Sequence, residues 1–250
     1  MSFKLCIKVD ETLKGLEMIN EYLTDVIEIH LLSKTIDIEK YNKFTNIIFH
    51  SSVYAFDLVD IVKDKEKLEI VENQLKTLSQ ISRNVKFLLH CGWAEDGEEI
   101  ATDLIVETVQ YLYSKYGIPI ILENTIIPGE YDRCIYVINK LNNENITMCV
   151  DTAHVRAIIN QGVNYKEYYK GIRNVSHIHF SYSKDNDGYR DKSTHGVLHG
   201  CLKEVKSDIE ILNVLNIKDV TICPEVVEEH YEKRVNQRKE ILLMKEINLI

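Results

Sequence analysis

Proline and glycine are scarce in this chain of 250 residues, which has only 3 and 10 of them, and Trp93 is its single tryptophan. So little of either leaves no segment that reads as a linker, and no low-complexity run interrupts the chain. No hydrophobic run approaches the roughly 18 apolar residues that a membrane-spanning helix needs, so no membrane partner is expected. The opening residues, MSFKLCIKVDE, lack the basic stretch, apolar stretch and small-residue cleavage point of a signal peptide. The 6 cysteines (Cys6, Cys91, Cys134, Cys149, Cys201 and Cys223) show no CxxC spacing and mostly lie in or beside apolar runs. That pattern suits buried reduced thiols rather than a disulfide framework, and a cytoplasmic location is the expectation. Positive charge is also in short supply, with 30 Lys and Arg against 39 Asp and Glu and a net charge of −9. This argues against broad electrostatic capture of nucleic acid, but not against an enzyme whose metal ions carry the positive charge locally.

What is present is an ordinary globular balance, 45% hydrophobic and 28% charged, in a chain long enough to bury a substantial core. Short apolar runs alternate with helix-like segments from end to end. Strands are expected at 3–9, 26–31, 46–50, 85–90, 118–123, 147–151, 175–180 and 219–225. Between and after them, 12–22, 34–44, 64–82, 98–116, 131–142, 164–173, 204–215 and 228–247 have helical spacing or composition. Near-continuous apolar strands separated by helices indicate a parallel sheet covered on its outer face. Eight such units in about 250 residues fit an α/β fold, a (β/α)8 TIM barrel forming a single domain over residues 1–250. An open doubly wound sheet is the runner-up, but no GxGxxG or P-loop follows the first strand.

The strand ends carry the chemistry. Strands three to eight end in, or carry at their ends, His50, His90, Glu123, Asp151, His179 and Glu225. In a closed barrel these C-terminal ends ring one cavity, the face where such enzymes place their active sites. With 39 acids and 9 histidines, roughly one position in five would match by accident. The bland alternative is a set of solvated loop residues. Buried carboxylates, however, need compensation, and a metal ion supplies it. Three imidazoles with three carboxylates suit zinc, manganese or iron better than the all-oxygen sites of magnesium and calcium. Glu123, placed centrally, can bridge two ions about 3.5–4 Å apart, an arrangement suited to in-line displacement at phosphorus.

At these residues the chain resembles the endonuclease IV family of apurinic/apyrimidinic endonucleases, within the xylose-isomerase-like barrel superfamily. The segments that carry the likeness are FHSSVY, LLHCGW, ILENT, CVDTAHVRA, HIHFSYSK, THGVLHG and ICPEV, spanning about residues 46–226. The resemblance implies a (β/α)8 barrel with a trinuclear zinc site that cleaves DNA 5′ to an abasic site. It implies that His50 and His90 hold one zinc, that Glu123 is shared with a second, and that Asp151, His179 and Glu225 complete the second. His154 and His195 would serve a third. There the sequence departs from the family pattern: Ser193 stands where an aspartate is expected, Asp191 is the nearest substitute, and His199 lies where the family has a Gly-Glu-Gly turn. Two or three zinc ions are therefore expected, with Mn2+ or Fe2+ as alternatives. The activity implied is hydrolysis of a phosphodiester, in abasic-site DNA or a smaller phosphodiester or sugar phosphate, by a metal-bound hydroxide with Glu123 as the catalytic carboxylate. Lys184 matches the family lysine after strand seven, Tyr54 stands one position from the tyrosine of the third loop, and Trp93 is placed to stack on a base or sugar. The loops after strands two and five lack the DNA-contact features of the family, which leaves duplex recognition without its usual phosphate contacts.

A sugar isomerase or epimerase of the same superfamily is the alternative. It would need one ion on Glu123, Asp151, His179 and Glu225. The second carboxylate that many epimerases place six residues after the first metal glutamate is Gly129 here, with Glu130 next to it. A non-catalytic barrel with a structural zinc is a third class. Among single residues, His177 is expected to be a hydrogen-bonded inner residue, His30 a partner of the site or a surface residue, and His230 solvated. Cys149 and Cys223 are expected to fill the core below the site.

Overall fold

The structure is a computed structural model that describes residues 3–55, 57–81, 84–92, 102–124, 128–160, 162, 164–168, 174–181, 198, 202–215, 217, 220–226 and 234–250. Eight strands, β1 (Lys4–Asp10), β2 (Val26–His30), β3 (Asn46–His50), β4 (Asn84–His90), β5 (Ile120–Glu123), β6 (Ile146–Asp151), β7 (Val175–Phe180) and β8 (Thr221–Pro224), pair in parallel with their chain neighbours. β8 pairs back onto β1, closing the barrel that the alternation of apolar runs predicts.

The helices are α1 (Glu17–Tyr22), α2 (Leu58–Lys63), α3 (Lys65–Leu78), α4 (Thr102–Tyr116), α5 (Pro128–Leu141), α6 (Thr152–Asn160), α7 (Tyr165–Tyr168), α8 (Leu202–Leu215) and α9 (Val235–Glu246). α3 buries Ile70, Val71, Gln74, Leu75 and Leu78, a stripe at helical spacing, and starts where the Asp64 carboxylate accepts from Glu66 N and Lys67 N. α4 ends where Gly117, at φ +68°, donates its N–H to Tyr113 O.

Three local expectations change. The first helix covers 17–22 rather than 12–22, because the positive φ of Leu13 and of Gly15 precludes helix there. Segment 34–44 forms only a 3-10 turn, Ile38–Tyr41, capped by Asp37. α2 and α6 were not anticipated, and α6 follows directly on β6.

Each strand sends alternate residues outward to the helices and inward to the barrel axis. Outward-facing Ile27, Ile29, Phe49, Phe87, Leu89, Leu122, Val150 and Phe180 belong to the main core with the helices. Inside, Ile48, Leu88, Ile121 and Cys149 form one small apolar cluster, and Cys6, Val26 and Cys223 another. Above these inner clusters the polar side chains begin. The cysteines expected to fill the core below the site do so, and the described cysteines are free thiols.

Candidate metal centre at the strand ends

Barrel closure puts the six strand-end residues on one rim. His90 is in register with Glu123, and Asp151 with His179. The register between β6 and β7 shifts at Met148/Cys149, which pairs Cys149 and Asp151 with His177 and His179. At β4 a parallel bridge between Asp57 and His90 anchors the loop beyond the strand. Gly92 then turns at φ +108°, where an added Cβ would lie 2.4 Å from Val59 Cγ2.

Two ligand groups result, with Glu123 in both. His50, His90 and Glu123 form the first; Glu123, Asp151, His179 and Glu225 form the second. His50 Nε2 lies 3.0 Å from His90 Nε2, and Glu123 Oε2 lies 3.4 Å from His90 Nε2 and 3.9 Å from His50 Nε2. Ligands about 2.0–2.1 Å from a tetrahedral ion stand roughly 3.3 Å apart, so this spacing fits coordination. Glu123 Oε2 is buried and makes no hydrogen bond, a cost that a bound cation would offset. In the second group His179 Nδ1 faces Glu225 Oε2 at 2.5 Å, Glu123 Oε1 at 3.3 Å and Asp151 Oδ2 at 3.9 Å.

Protonation agrees with this geometry. Burial, reinforced by the Lys8 ammonium, depresses His50 to about 3. Burial, with His50 and His154 beside it, holds His90 well below the usual imidazole range. Both are therefore neutral near pH 7, the form that ligates metals. Burial works to lower His179, but Cys149, Glu225, Glu28 and Glu123 outweigh it and raise the group well above its ordinary value. The pocket thus draws positive charge to that point, which a cation also supplies.

Glu28 was not among the candidate site residues of the sequence. It is fully buried on β2 and orients one histidine of each group. His50 Nδ1 stands 3.0 Å from its Oε1 and 3.0 Å from Lys8 Nζ, and His179 Nε2 stands 2.8 Å from its Oε2, which leaves His50 Nε2 and His179 Nδ1 turned toward the ligand groups. Burial works to raise the Glu28 carboxyl, yet His179, Lys8 and His177 hold it well below the usual carboxylate range. Lys8, also missed, sets its ammonium 2.8 Å from Glu28 Oε1 and 2.6 Å from Glu225 Oε1. Burial pulls Lys8 down, but Glu225 and Glu28 keep it protonated by raising it well above the lysine range. His177 is the inner hydrogen-bonded residue expected, 2.8 Å from Glu28 Oε2 and 2.5 Å from Thr221 Oγ1. The His30 ring packs 5.1 Å from that of His50.

Asp151 has two tasks. Its Oδ1 accepts from His154 N at 2.9 Å, capping α6, while Oδ2 faces His179. Asn124 of the LENT segment, not among the expected site residues, holds the pair: its Oδ1 accepts from Asp151 N at 2.7 Å, and its carbonyl accepts from His154 Nδ1 at 2.7 Å. With Nδ1 engaged, Nε2 is the other nitrogen of the His154 ring. Tyr54 lies half exposed in the loop after β3, with Lys34 Nζ 5.5 Å from its ring centroid. Trp93, Lys184, Asp191, Ser193, His195, His199 and His230 lie outside the described residues. A cavity of about 130 Å³ opens beside the second group, lined by Lys8, His30, Glu225, Arg234 and Gln237 among others.

Fold and site together define a (β/α)8 barrel with metal-capable side chains gathered at the C-terminal ends of its strands. The family model for the xylose isomerase-like TIM barrel matches residues 37–247, and the chain belongs to that family, a superfamily of enzymes. It is 25% identical over 229 residues to the protein named Probable endonuclease 4 of Mycoplasmopsis synoviae (strain 53), covering 83% of this chain and 79% of that one. Among solved structures, an IOLI protein with a binding zinc atom superposes with a TM-score of 0.66 at 18% identity, covering 98% of each chain. The 3-keto-D-glucoside 4-epimerase YcjR from E. coli gives 0.60 at 13% identity, covering 98% of this chain and 100% of that one. At these identities the structural likeness speaks for the fold alone. Among the described residues no helix is long and apolar enough to cross a membrane.

Proposed function

We propose that this protein is a metal-dependent phosphodiesterase of the endonuclease IV kind, with abasic-site DNA as the leading substrate. The carrying observation is that Glu123 belongs to two adjoining ligand groups. Such sharing suits a two-ion centre, whereas a one-ion isomerase needs neither His50 nor His90. The 25% identity to a protein named as an endonuclease 4 supports the same reading.

His50, His90 and Glu123 would hold one divalent ion, zinc by its donor set, and Glu123, Asp151, His179 and Glu225 a second. When bound, such ions stabilise charge on the attacking and leaving oxygens of a phosphodiester and lower the pKa of water. The remaining work is done by the chain. Glu28 engages His50 Nδ1 and His179 Nε2, so the opposite nitrogen of each ring is the one that faces the ligand groups. Asn124 and the α6 cap lock Asp151, and Lys8 neutralises the side of Glu225 that faces away from His179. His154, with Nδ1 tied to Asn124 O, is the member of a third ligand set that lies among the described residues. Lys184, Tyr54 and Trp93 are proposed substrate contacts, and His195 the further ligand of that third set.

A sugar isomerase is the second reading, and one observation favours it: Glu123, Asp151, His179 and Glu225 form a complete four-residue group on their own. Elemental analysis of the purified protein, paired with a gel assay on a duplex carrying one abasic site, decides between them. Two or more ions per chain without a sulfur ligand, with strand cleavage, support the phosphodiesterase; one such ion without cleavage supports the isomerase. Glu123→Gln should retain the fold by circular dichroism and lower cleavage by about a thousandfold, the equivalent of several kcal/mol of transition-state charge stabilisation. Full cleavage by that variant would refute the role.

A further inference from the structure

Beneath the rim lies a second kind of ligand cluster. Cys6 on β1, Glu28 on β2, His177 on β7 and Cys223 on β8 point to the barrel axis one layer below the strand ends, and all four are fully buried. One ligand atom from each lies within 4.8 Å of the other three. The pairings of β1 with β8 (Lys4 to Thr221, Leu5 to Ile222) run on to set Cys6 across from Cys223. We infer that this cluster is a separate, structural metal site, tetrahedral and sulfur-containing, that takes a zinc ion through two thiolates, one imidazole and one carboxylate.

Four observations carry the inference. Two cysteines, a histidine and a carboxylate are a closed zinc donor set, unlike the rim groups, which contain no sulfur. Ligands at about 2.0–2.3 Å from one ion stand roughly 3.3–3.8 Å apart, so atoms already within 4.8 Å need only a small inward adjustment. The supporting contacts are in place: His177 Nδ1 is 2.5 Å from Thr221 Oγ1, which turns Nε2 toward the cluster, and Lys8 Nζ is 2.8 Å from Glu28 Oε1, which leaves Oε2 on the cluster side. Charge also closes, because two thiolates and Glu28 balance one divalent ion and the Lys8 ammonium. The ion replaces the two thiol protons, which leave to solvent, while the single ring proton of His177 moves from Nε2 to Nδ1, where Thr221 Oγ1 accepts it. At the opposite mouth of the barrel a cavity of about 440 Å³ is lined by Val26, Thr221 and Val220 among others. Val26 packs directly on Cys6 and Cys223.

The test uses the full chain stripped of metal and reloaded with Co2+ alone. A thiolate-to-cobalt charge-transfer band is expected in the near ultraviolet for the wild type. It should survive in Cys134→Ser, which removes a buried thiol outside the cluster, and vanish in Cys6→Ser/Cys223→Ser with the loss of one ion per chain. Absence of the band from the wild type, or its persistence in the double variant, would overturn the proposal. Should the double variant not fold, zinc-edge X-ray absorption on the wild type decides: two sulfurs per chain at about 2.3 Å support the site. A single sulfur would point to Cys149 instead, and a shell of nitrogen and oxygen alone, or a Cys6–Cys223 disulfide, would equally overturn it. Because the rim groups hold no cysteine, the sulfur signal is independent of whether the protein cleaves a phosphodiester.

Discussion

Lys8 Nζ and Glu225 Oε1 stand 2.6 Å apart, so the ammonium of the first strand holds a carboxylate of the last at the seam where the barrel closes. The other oxygen of Glu225 lies 2.5 Å from His179 Nδ1. One carboxylate thus has one oxygen on a fixed cation and the other on the ligand group.

Lys8→Met follows from that seam. The variant strips Glu28 and Glu225 of their cation, and removing one partner of a buried pair destabilises by about 3–5 kcal/mol. The uncompensated carboxylates should then rely more on bound metal. Thermal unfolding with and without chelator should therefore show a lower melting temperature for the metal-free variant and a larger metal-dependent rise than in the wild type. Equal rises would contradict this role of Lys8.

Asn124→Ala removes the side-chain oxygen that accepts from Asp151 N at 2.7 Å while keeping the carbonyl that holds His154. Loss of such an outer partner weakens metal affinity by about 10–100-fold. Competition against a graded series of chelators should show faster zinc loss at unchanged secondary structure, and affinity equal to wild type would count against it.

Gly92→Ala tests how the end of β4 is held. Its Cβ would sit 2.4 Å from Val59 Cγ2 and 2.8 Å from Val59 N, at a φ of +108° that side chains rarely adopt. Strain and overlap together should lower stability by about 3 kcal/mol. A urea titration should show the midpoint falling with an unchanged slope, and metal content should drop with it, because His90 is two residues away.

Asp208 supplies a pH dependence. Burial raises its carboxyl to about 7 against the opposing pull of the Arg156 guanidinium, and its Oδ2 is buried without a hydrogen bond. The folded protein then holds a proton on Asp208 that the unfolded chain releases near pH 4, so this group favours folding less as pH rises from about 4 to 7 and contributes a constant amount above that. Asp208→Asn removes that slope. The stability difference between variant and wild type should shift in favour of the variant across this interval, by an amount on the order of a few kcal/mol. Parallel pH profiles would show that Asp208 does not titrate there.

How much of this could be read from the chain alone varies by level. The eight strands were legible because each is an apolar run of Ile, Val, Leu or Phe bounded by polar residues, and the rim residues because each ends such a run. α6 was legible in principle: an aspartate at the cap followed by Ala153, Val155, Ala157 and Ile158 at helical spacing is a start signal. Segment 34–44 misled because its spacing resembles a helix, while Asp37 caps only a single 3-10 turn there.

By itself, the sequence determined the barrel and the six metal-capable residues at its mouth, since alternation and strand-end position are local properties written residue by residue. Lys8, Glu28, Cys6 and Cys223 were different. In the chain they are a charged residue or a thiol inside an apolar run, and although Cys223 reads as core below the site, nothing there says what any of them meets. Only the parallel register of a closed barrel, which brings β1 beside β8 and turns alternate residues inward, gave each of them a partner, because burial of a charge is set by what lies across the barrel and not by its neighbours along the strand.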